Sequence, residues 1–318
     1  MALNPTLERF NVFGFALQSA QGTPASTGFN WIPMRAETNI ERNPNLEAVD
    51  QADGVGYDQL MYSKGIWIEG AAGVSTQPVS PSILDLVTWI ITRDSYGQGA
   101  FATVVMKNAR RTDAYQDVKV GSAVFRMHSG APLETELHLH GVAPSTGGAP
   151  TVGSVQAGAP YIFDEVTVGV DWDGSGSVGS AEMTIKTFEI NIDNLLQTGE
   201  EGLRLGSLYM QSLYNNGDPL ITGSFTRDYV DSTTESQDPF DLWLQQIANL
   251  NNASYKAKMS ISMTRGSVTL SFVMGNIWFK KVGQPAKGTR RGTMTQTIEY
   301  LALADTTLTP PVGLVLTG

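Results

Sequence analysis

The chain has 318 residues, 41% hydrophobic and only 16% charged, with 33 glycines, a formal net charge of -10 and no cysteine. That length allows one to three domains with a sizeable core, and the missing thiol excludes thiol catalysis, disulfides and Cys-based zinc sites. The negative balance argues against a broad grip on nucleic acid, whose affinity comes from cations on phosphate, without excluding a surface past which nucleic acid slides.

No window approaches the ~18 uninterrupted apolar residues of a membrane span, and Met1–Phe10 lacks the basic and apolar regions of a Sec signal. Abundant Gly, Ser and Thr suit an all-β chain with many turns and few long helices. So low a surface charge fits either a surface covered by other subunits or a secreted domain.

In chain order, Met1 to Asn30 reads as an arm, with a short strand near Phe10, Val12, Phe13, Phe15 and Leu17 and turn chemistry at Gln21–Gly28. Trp31 to Arg42 is expected as a strand. The polar excursion from Asn43 to Lys64 precedes a second strand, Gly65–Gly70. Pro81 at a helix start and apolar Ile83, Leu86, Val87, Ile90 and Ile91 predict an amphipathic helix over Ser82–Ile91. Strands are expected at 101–106, 117–127 and 133–142. Residues 144–160, mostly small side chains with three prolines, read as a linker without a core of its own.

Beyond it the pattern recurs: a strand at 161–170, another at 181–194, and an excursion from Leu195 to Asp218. A strand near Leu220–Phe225 and a helix from an Asp238 cap with Pro239 at its first position come next. Strands at 256–263, 268–274, 276–282 and 293–303 complete the chain.

Set 152 positions apart, Ala36–Asn43 lies under Phe188–Leu195: Glu37 meets Glu189, Asn39 meets Asn191 and Ile40 meets Ile192. Leu84-Asp-Leu86 aligns with Phe240-Asp-Leu242, and Pro132 with Pro285, at nearly the same offset. The same element order therefore occurs twice, which predicts two tandem β domains, 31–143 and 161–304, with a tail at 305–318. Simple alternation, common to all β chains, is the competing account.

Three constellations carry possible chemistry. Asp171-Trp-Asp-Gly-Ser-Gly-Ser-Val-Gly-Ser-Ala-Glu182 fits the twelve-residue calcium loop, with Asp171, Asp173, Ser175 and Glu182 as oxygen ligands and Gly at the sharp turn. Its flanks, however, read as strands where a calcium hand needs helices, so it also reads as an ordinary acidic connection. His138 and His140 share one strand face, but neither they nor His128 have a predictable third ligand. They read as exposed strand histidines. Lys280–Arg291 holds five cations and no acid; without interleaved aromatics it reads as a hairpin facing an acidic neighbouring subunit rather than a nucleic-acid patch. No phosphate loop or Ser-His-Asp elbow occurs, and Thr92-Arg-Asp94 and Thr226-Arg-Asp228 fall at non-equivalent places. Nothing looks catalytic.

Gly14-Phe-Ala-Leu-Gln-Ser-Ala-Gln-Gly-Thr-Pro-Ala25, the Phe188–Asn194 strand and the Pro239-Phe-Asp-Leu-Trp243 helix resemble those of phage tail tube proteins, in an order that covers most of the chain. The resemblance implies β-sandwich or barrel domains, each with a flanking helix, six to a ring, and rings stacked into a hollow tube for the genome. Two domains per chain imply a trimeric, pseudo-six-fold ring; without duplication the ring takes six chains. The partners implied are other copies, the tape measure, terminator and baseplate or tip proteins, and DNA that passes without specific binding. The setting is the virion tail, after synthesis in the host cytoplasm, with neither membrane nor cofactor. The assembly contacts expected are the two excursions, ordered against an adjacent ring, with the arm and the tail. A monomeric, secreted, calcium-dependent β-sandwich binding module is the alternative, and it rests on residues 171–182.

Overall fold

A computed structural model of the chain describes residues 12–34, 38–48, 61–79, 82–107, 111–144, 150–156, 158–172, 178, 184–229, 239–250, 252, 255–283, 294–305 and 313–317. The first half holds β1 (Val12–Leu17), β2 (Asn30–Pro33), β3 (Asn39–Asn43), β4 (Leu46–Ala48), β5 (Met61–Ser63), β6 (Trp67–Val74), α1 (Ser82–Ile91), β7 (Ala102–Lys107), β8 (Thr112–His128) and β9 (Glu134–Pro144). The second half holds β10 (Val166–Asp171), β11 (Ile185–Asp193), β12 (Leu220–Asp228), α2 (Pro239–Ala248), β13 (Ala257–Arg265), β14 (Val268–Val282), β15 (Thr295–Ala302) and β16 (Val315–Thr317). Among the described residues, fourteen strands share one antiparallel sheet, and β4–β5 is a separate hairpin. The mainly β class with two short helices is as the sequence implies.

Three elements differ from expectation. The arm reading fails for residues 12–17: β1 pairs with β2 and β7, and Phe13 and Phe15 are fully buried. Trp31 to Arg42 is two strands, β2 and β3, rather than one. Conversely 268–274 and 276–282 are one long strand, β14, kinked where its pairing with β13 shifts register.

Pairing follows one order in both halves. In the first it runs β3–β6–β9–β8–β7–β1, and in the second β11–β12–β15–β14–β13–β10. The irregularities coincide as well. Register shifts between Ala102 and Val104 in β7–β8, and between Ala257 and Met259 in β13–β14. It shifts again between Val120 and Ser122 against β9, and between Phe279 and Lys281 against β15. Ile40 faces Gly70 as Ile190 faces Gly223, which sets the opening strands 150 residues apart rather than 152. Both glycines are required, because a Cβ at Gly70 would run into the Asn39 carbonyl, and one at Gly223 into the Glu189 carbonyl.

One hydrophobic core spans both halves. Helix α1 buries Ile83, Leu86, Val87, Trp89 and Ile90 on the sheet; Trp89 stacks on Phe15 at 5.0 Å and its indole N–H donates to the Val118 carbonyl at 3.1 Å. The halves meet edge-on through Phe125 of β8 and Phe272 of β14, 4.9 Å apart. They are joined by a direct ladder, β8 to β11, from Ser122↔Asp193 to His128↔Thr187.

Candidate assembly surface

Because side chains alternate along a strand, the path β3–β6–β9–β8–β11–β12–β15–β14 has one apolar and one polar face. Ile40, Ile68, Leu137, Phe125, Ile190, Phe225, Ile298 and Val282 point into the core. The opposite face presents Glu41, Glu69, Glu136, Glu189, Asp193 and Glu299. Two of its cations, Arg126 and Lys281, are engaged by those acids. Arg126 donates from Nε to Glu189 at 2.9 Å and reaches Glu136 at 3.5 Å, and Lys281 Nζ lies 3.5 Å from Glu299. His138 Nε2 sits 3.3 Å from Glu136, while burial lowers the pKa of His140. At neutral pH this face is acidic, and it repels polyanions.

Both excursions are expected as contacts with an adjacent ring; within the chain, Leu195 to Asp218 packs on the first half. Asn194 begins it: its side-chain amide donates to the Ile90 and Val120 carbonyls, both at 2.8 Å, and its N–H to Gly121 at 2.8 Å. Further along, the Ile66 N–H donates to the Leu208 carbonyl at 2.8 Å and the Met210 N–H to the Ile66 carbonyl at 3.0 Å. Met210 and Leu213 are then buried against Trp67 and Val142. Asn215 Oδ1 accepts from the Gly99 N–H at 2.9 Å and from Lys119 Nζ at 3.1 Å. Burial, aided by Arg93 nearby, lowers the Lys119 pKa to about 8. A buried lysine in a strand has no sequence signature, so reading along the chain missed it.

Of the Asn43 to Lys64 excursion, the described part is the exposed hairpin β4–β5. Glu47 there accepts from the Tyr62 hydroxyl at 2.7 Å and pairs with Lys64 at 2.6 Å, while Leu46, Met61 and Tyr62 are exposed. Residues 49–60, arm residues 1–11 and tail residues 306–312 lie outside the described residues.

The 144–160 stretch is tied down at its end. Arg265 pairs with both Glu165 oxygens and donates to the Ala159 and Pro160 carbonyls at 2.7 and 2.9 Å, while the Gln156 N–H donates to Trp31 at 2.9 Å. Asp171 closes β10 with its carboxylate 4.0 Å from Lys258; Asp173, Ser175 and Glu182 lie outside the described residues. No group of three His, Asp or Glu able to hold a metal occurs among the described residues. Lys280 and Lys281 end β14, and Lys287, Arg290 and Arg291 are outside the described residues.

An acidic sheet face beside exposed apolar side chains such as Leu46, Met61, Leu205 and Leu208 suits a β protein that assembles. A family profile for phage tail tube proteins matches residues 3–302, and the chain belongs to that family. No curated protein matches it. The chain is therefore a structural tail tube protein, a component of the virion tail that self-assembles into a tube and associates with other tail proteins.

Proposed function

We propose that the chain carries two tube domains in tandem, that three chains close a ring of pseudo-six-fold symmetry, and that stacked rings conduct DNA into the host. The observation that carries this is the twofold pairing order with its matching irregularities, joined through β8 and β11. On this reading the acidic face lines the lumen. Carboxylates from each chain repel phosphate, so DNA slides without adhering. The exposed Leu205 and Leu208 on the second excursion, with arm residues 1–11, are stacking contacts between rings. Two-dimensional classes of assembled tubes, together with the mass of a dissociated ring, test the reading. Three chains of 34.3 kDa per ring are expected; six chains per ring would overturn the trimer.

A further inference from the structure

We infer that Asn216 modifies itself: its side chain closes on the Gly217 nitrogen and reopens as aspartate or isoaspartate, and the isoaspartyl form unfastens the second excursion from the first half. The inference is independent of how many chains make a ring.

Asn216 is the single asparagine of the chain that precedes a glycine; every other one precedes a residue whose side chain shields the backbone nitrogen. Asn216 and Gly217 are both exposed. Gly217 holds φ 146°, a conformation that glycine adopts without strain, and nothing lies within 4 Å of the point where a Cβ would stand. The turn therefore keeps its glycine, and the space around it is open. Among the described residues no group engages the Asn216 side-chain amide or the Gly217 N–H. Asn215, one residue earlier, is the contrast. It is 9% exposed, its Oδ1 accepts from the Gly99 N–H and from Lys119, and its Nδ2 donates to the Asn194 carbonyl at 3.0 Å. A locked amide and a free one stand side by side.

The chemistry needs only water. Hydroxide removes the Gly217 N–H proton, and the nitrogen attacks Asn216 Cγ. The new N–C bond closes a five-membered ring, the Cγ–Nδ2 bond breaks, and the amide nitrogen leaves as ammonia with a proton from water, which restores the hydroxide. Carrying both groups on one short stretch of chain supplies the proximity that lets a carboxamide react at all. A further water then opens the ring. Opening at Cγ gives aspartate. Opening at the main-chain carbonyl gives isoaspartate, whose backbone runs through Cβ and Cγ and is one atom longer.

The position matters because it is the neck of the excursion. The Asn216 N–H donates to the Leu195 carbonyl at 2.9 Å, Leu196 bridges to Asn215, and the Gln197 N–H donates to the Tyr214 carbonyl at 2.8 Å. These pairs close the loop whose Met210 and Leu213 cover Trp67 and Val142. An extra backbone atom at residue 216 breaks the register of the neck. The new carboxylate also adds to the charge of Asp218 beside it and of Asp193 across the neck, whose side chain accepts the Leu195 N–H at 2.9 Å. Local opening there uncovers apolar side chains and gives proteases access to the excursion.

The experiment ages the full chain at mildly alkaline pH and follows residue 216 by peptide mapping, with isoaspartyl methyltransferase as the label for isoaspartate. Isoaspartate is expected at 216 ahead of every other asparagine, at a rate that rises with pH. Asn216→Gln keeps the backbone N–H bonded to Leu195 but would have to close a six-membered ring, and should slow the conversion at least tenfold. Conversion at 216 no faster than at the exposed Asn252 would overturn the inference. Limited proteolysis reads the structural consequence. Aged wild type should be cut within 195–218 at least tenfold faster than fresh protein, whereas Asn216→Gln aged alike should keep the fresh rate. Asn216→Asp, which carries the charge without the extra backbone atom, should fall between them. Isoaspartate confirmed at 216 with cleavage unchanged would overturn the unfastening.

Discussion

Arg126 on β8 and Glu189 on β11 meet across the junction of the two halves, Nε to Oε2 at 2.9 Å, on the polar face of the sheet. Both side chains are about two-fifths exposed, so water and salt screen the pair. The backbone ladder and the apolar layer of Phe125, Ile190 and Ile192 beneath it hold the junction. Arg126→Ala should therefore lower stability by only ~0.5 kcal/mol, a loss that shrinks in 1 M salt. Urea unfolding at two salt concentrations checks this. A salt-independent loss several times larger would mean that the ion pair, and not the ladder, joins the halves.

Gly223 permits no side chain, because β11 and the Tyr300 ring press on it from two directions. Gly223→Val should cost at least ~3 kcal/mol through overpacking and lost pairing, or leave the protein insoluble. Thr222→Val, one residue away on the polar face, should cost under ~1 kcal/mol. Comparable unfolding midpoints for the two variants would refute the close approach.

Lys119 gives a pH dependence of defined sign. Its pKa in the folded chain is about 8, against an ordinary value of 10.5, because burial disfavours the charge. Between those values the unfolded chain holds more protons, so this group makes stability rise with pH across the window and contributes no slope below it. Tyr161 and Tyr300, whose hydroxyls are pushed up by burial, act in the opposite direction above their ordinary value. The comparison is therefore wild type minus Lys119→Met: the difference should change by about 2 kcal/mol between pH 7.5 and pH 10.5. A constant difference would place the ammonium in contact with water.

Arg265 ties the end of the 144–160 stretch to the β13–β14 hairpin through Glu165, Ala159 and Pro160. Hydrogen bonding from Arg265 holds the Glu165 carboxyl below its usual range. Its contribution is thus complete above the ordinary carboxylate value and is lost as pH falls through the lowered one. Arg265→Gln should speed protease cleavage within 150–160 on the order of tenfold, equivalent to ~1.4 kcal/mol of local opening. It should also flatten the acid limb of the stability curve. Unchanged cleavage would show that the Gln156–Trp31 contact alone secures the segment.

Much of the architecture was legible along the chain, because it rests on local rules. Helix α1 has both the period and a proline before it, and α2 has Pro239 at its first turn. β9, and β11 from Phe188 onward, alternate cleanly. The sequence alignment sets Ala36–Asn43 under Phe188–Leu195 at an offset of 152, whereas the strand pairing relates Ile40 to Ile190 at 150. A slip of two leaves every side chain on the same face, so alternation cannot separate 150 from 152; pairing with Gly70 and Gly223 does. β14 looked like two strands because Gly275 interrupts its apolar run. β1 looked like an arm because what buries it, β2 and β7, lies elsewhere in the sequence. The same holds for the second excursion: Met210 and Leu213 are isolated apolar residues in a polar stretch, and only Trp67 and Val142, brought alongside by folding, explain them. Asn194 is plain in the sequence, but its amide caps carbonyls of Ile90 and Val120, two elements far upstream.

The β8–β11 ladder also sets a timetable. Arg126 and Glu189 are 63 residues apart, and at a synthesis rate of about 5–20 residues per second the far edge of β8 stands unpaired for ~3–13 s on the ribosome. β-hairpins form in microseconds, so β7, β8 and β9 are assembled long before their partner emerges. In a host making many copies at once, nascent chains wait with an exposed strand that fits other chains as well as their own. Arg126 on that strand acts as a gatekeeper for the interval, since charge at an open edge discourages mispairing.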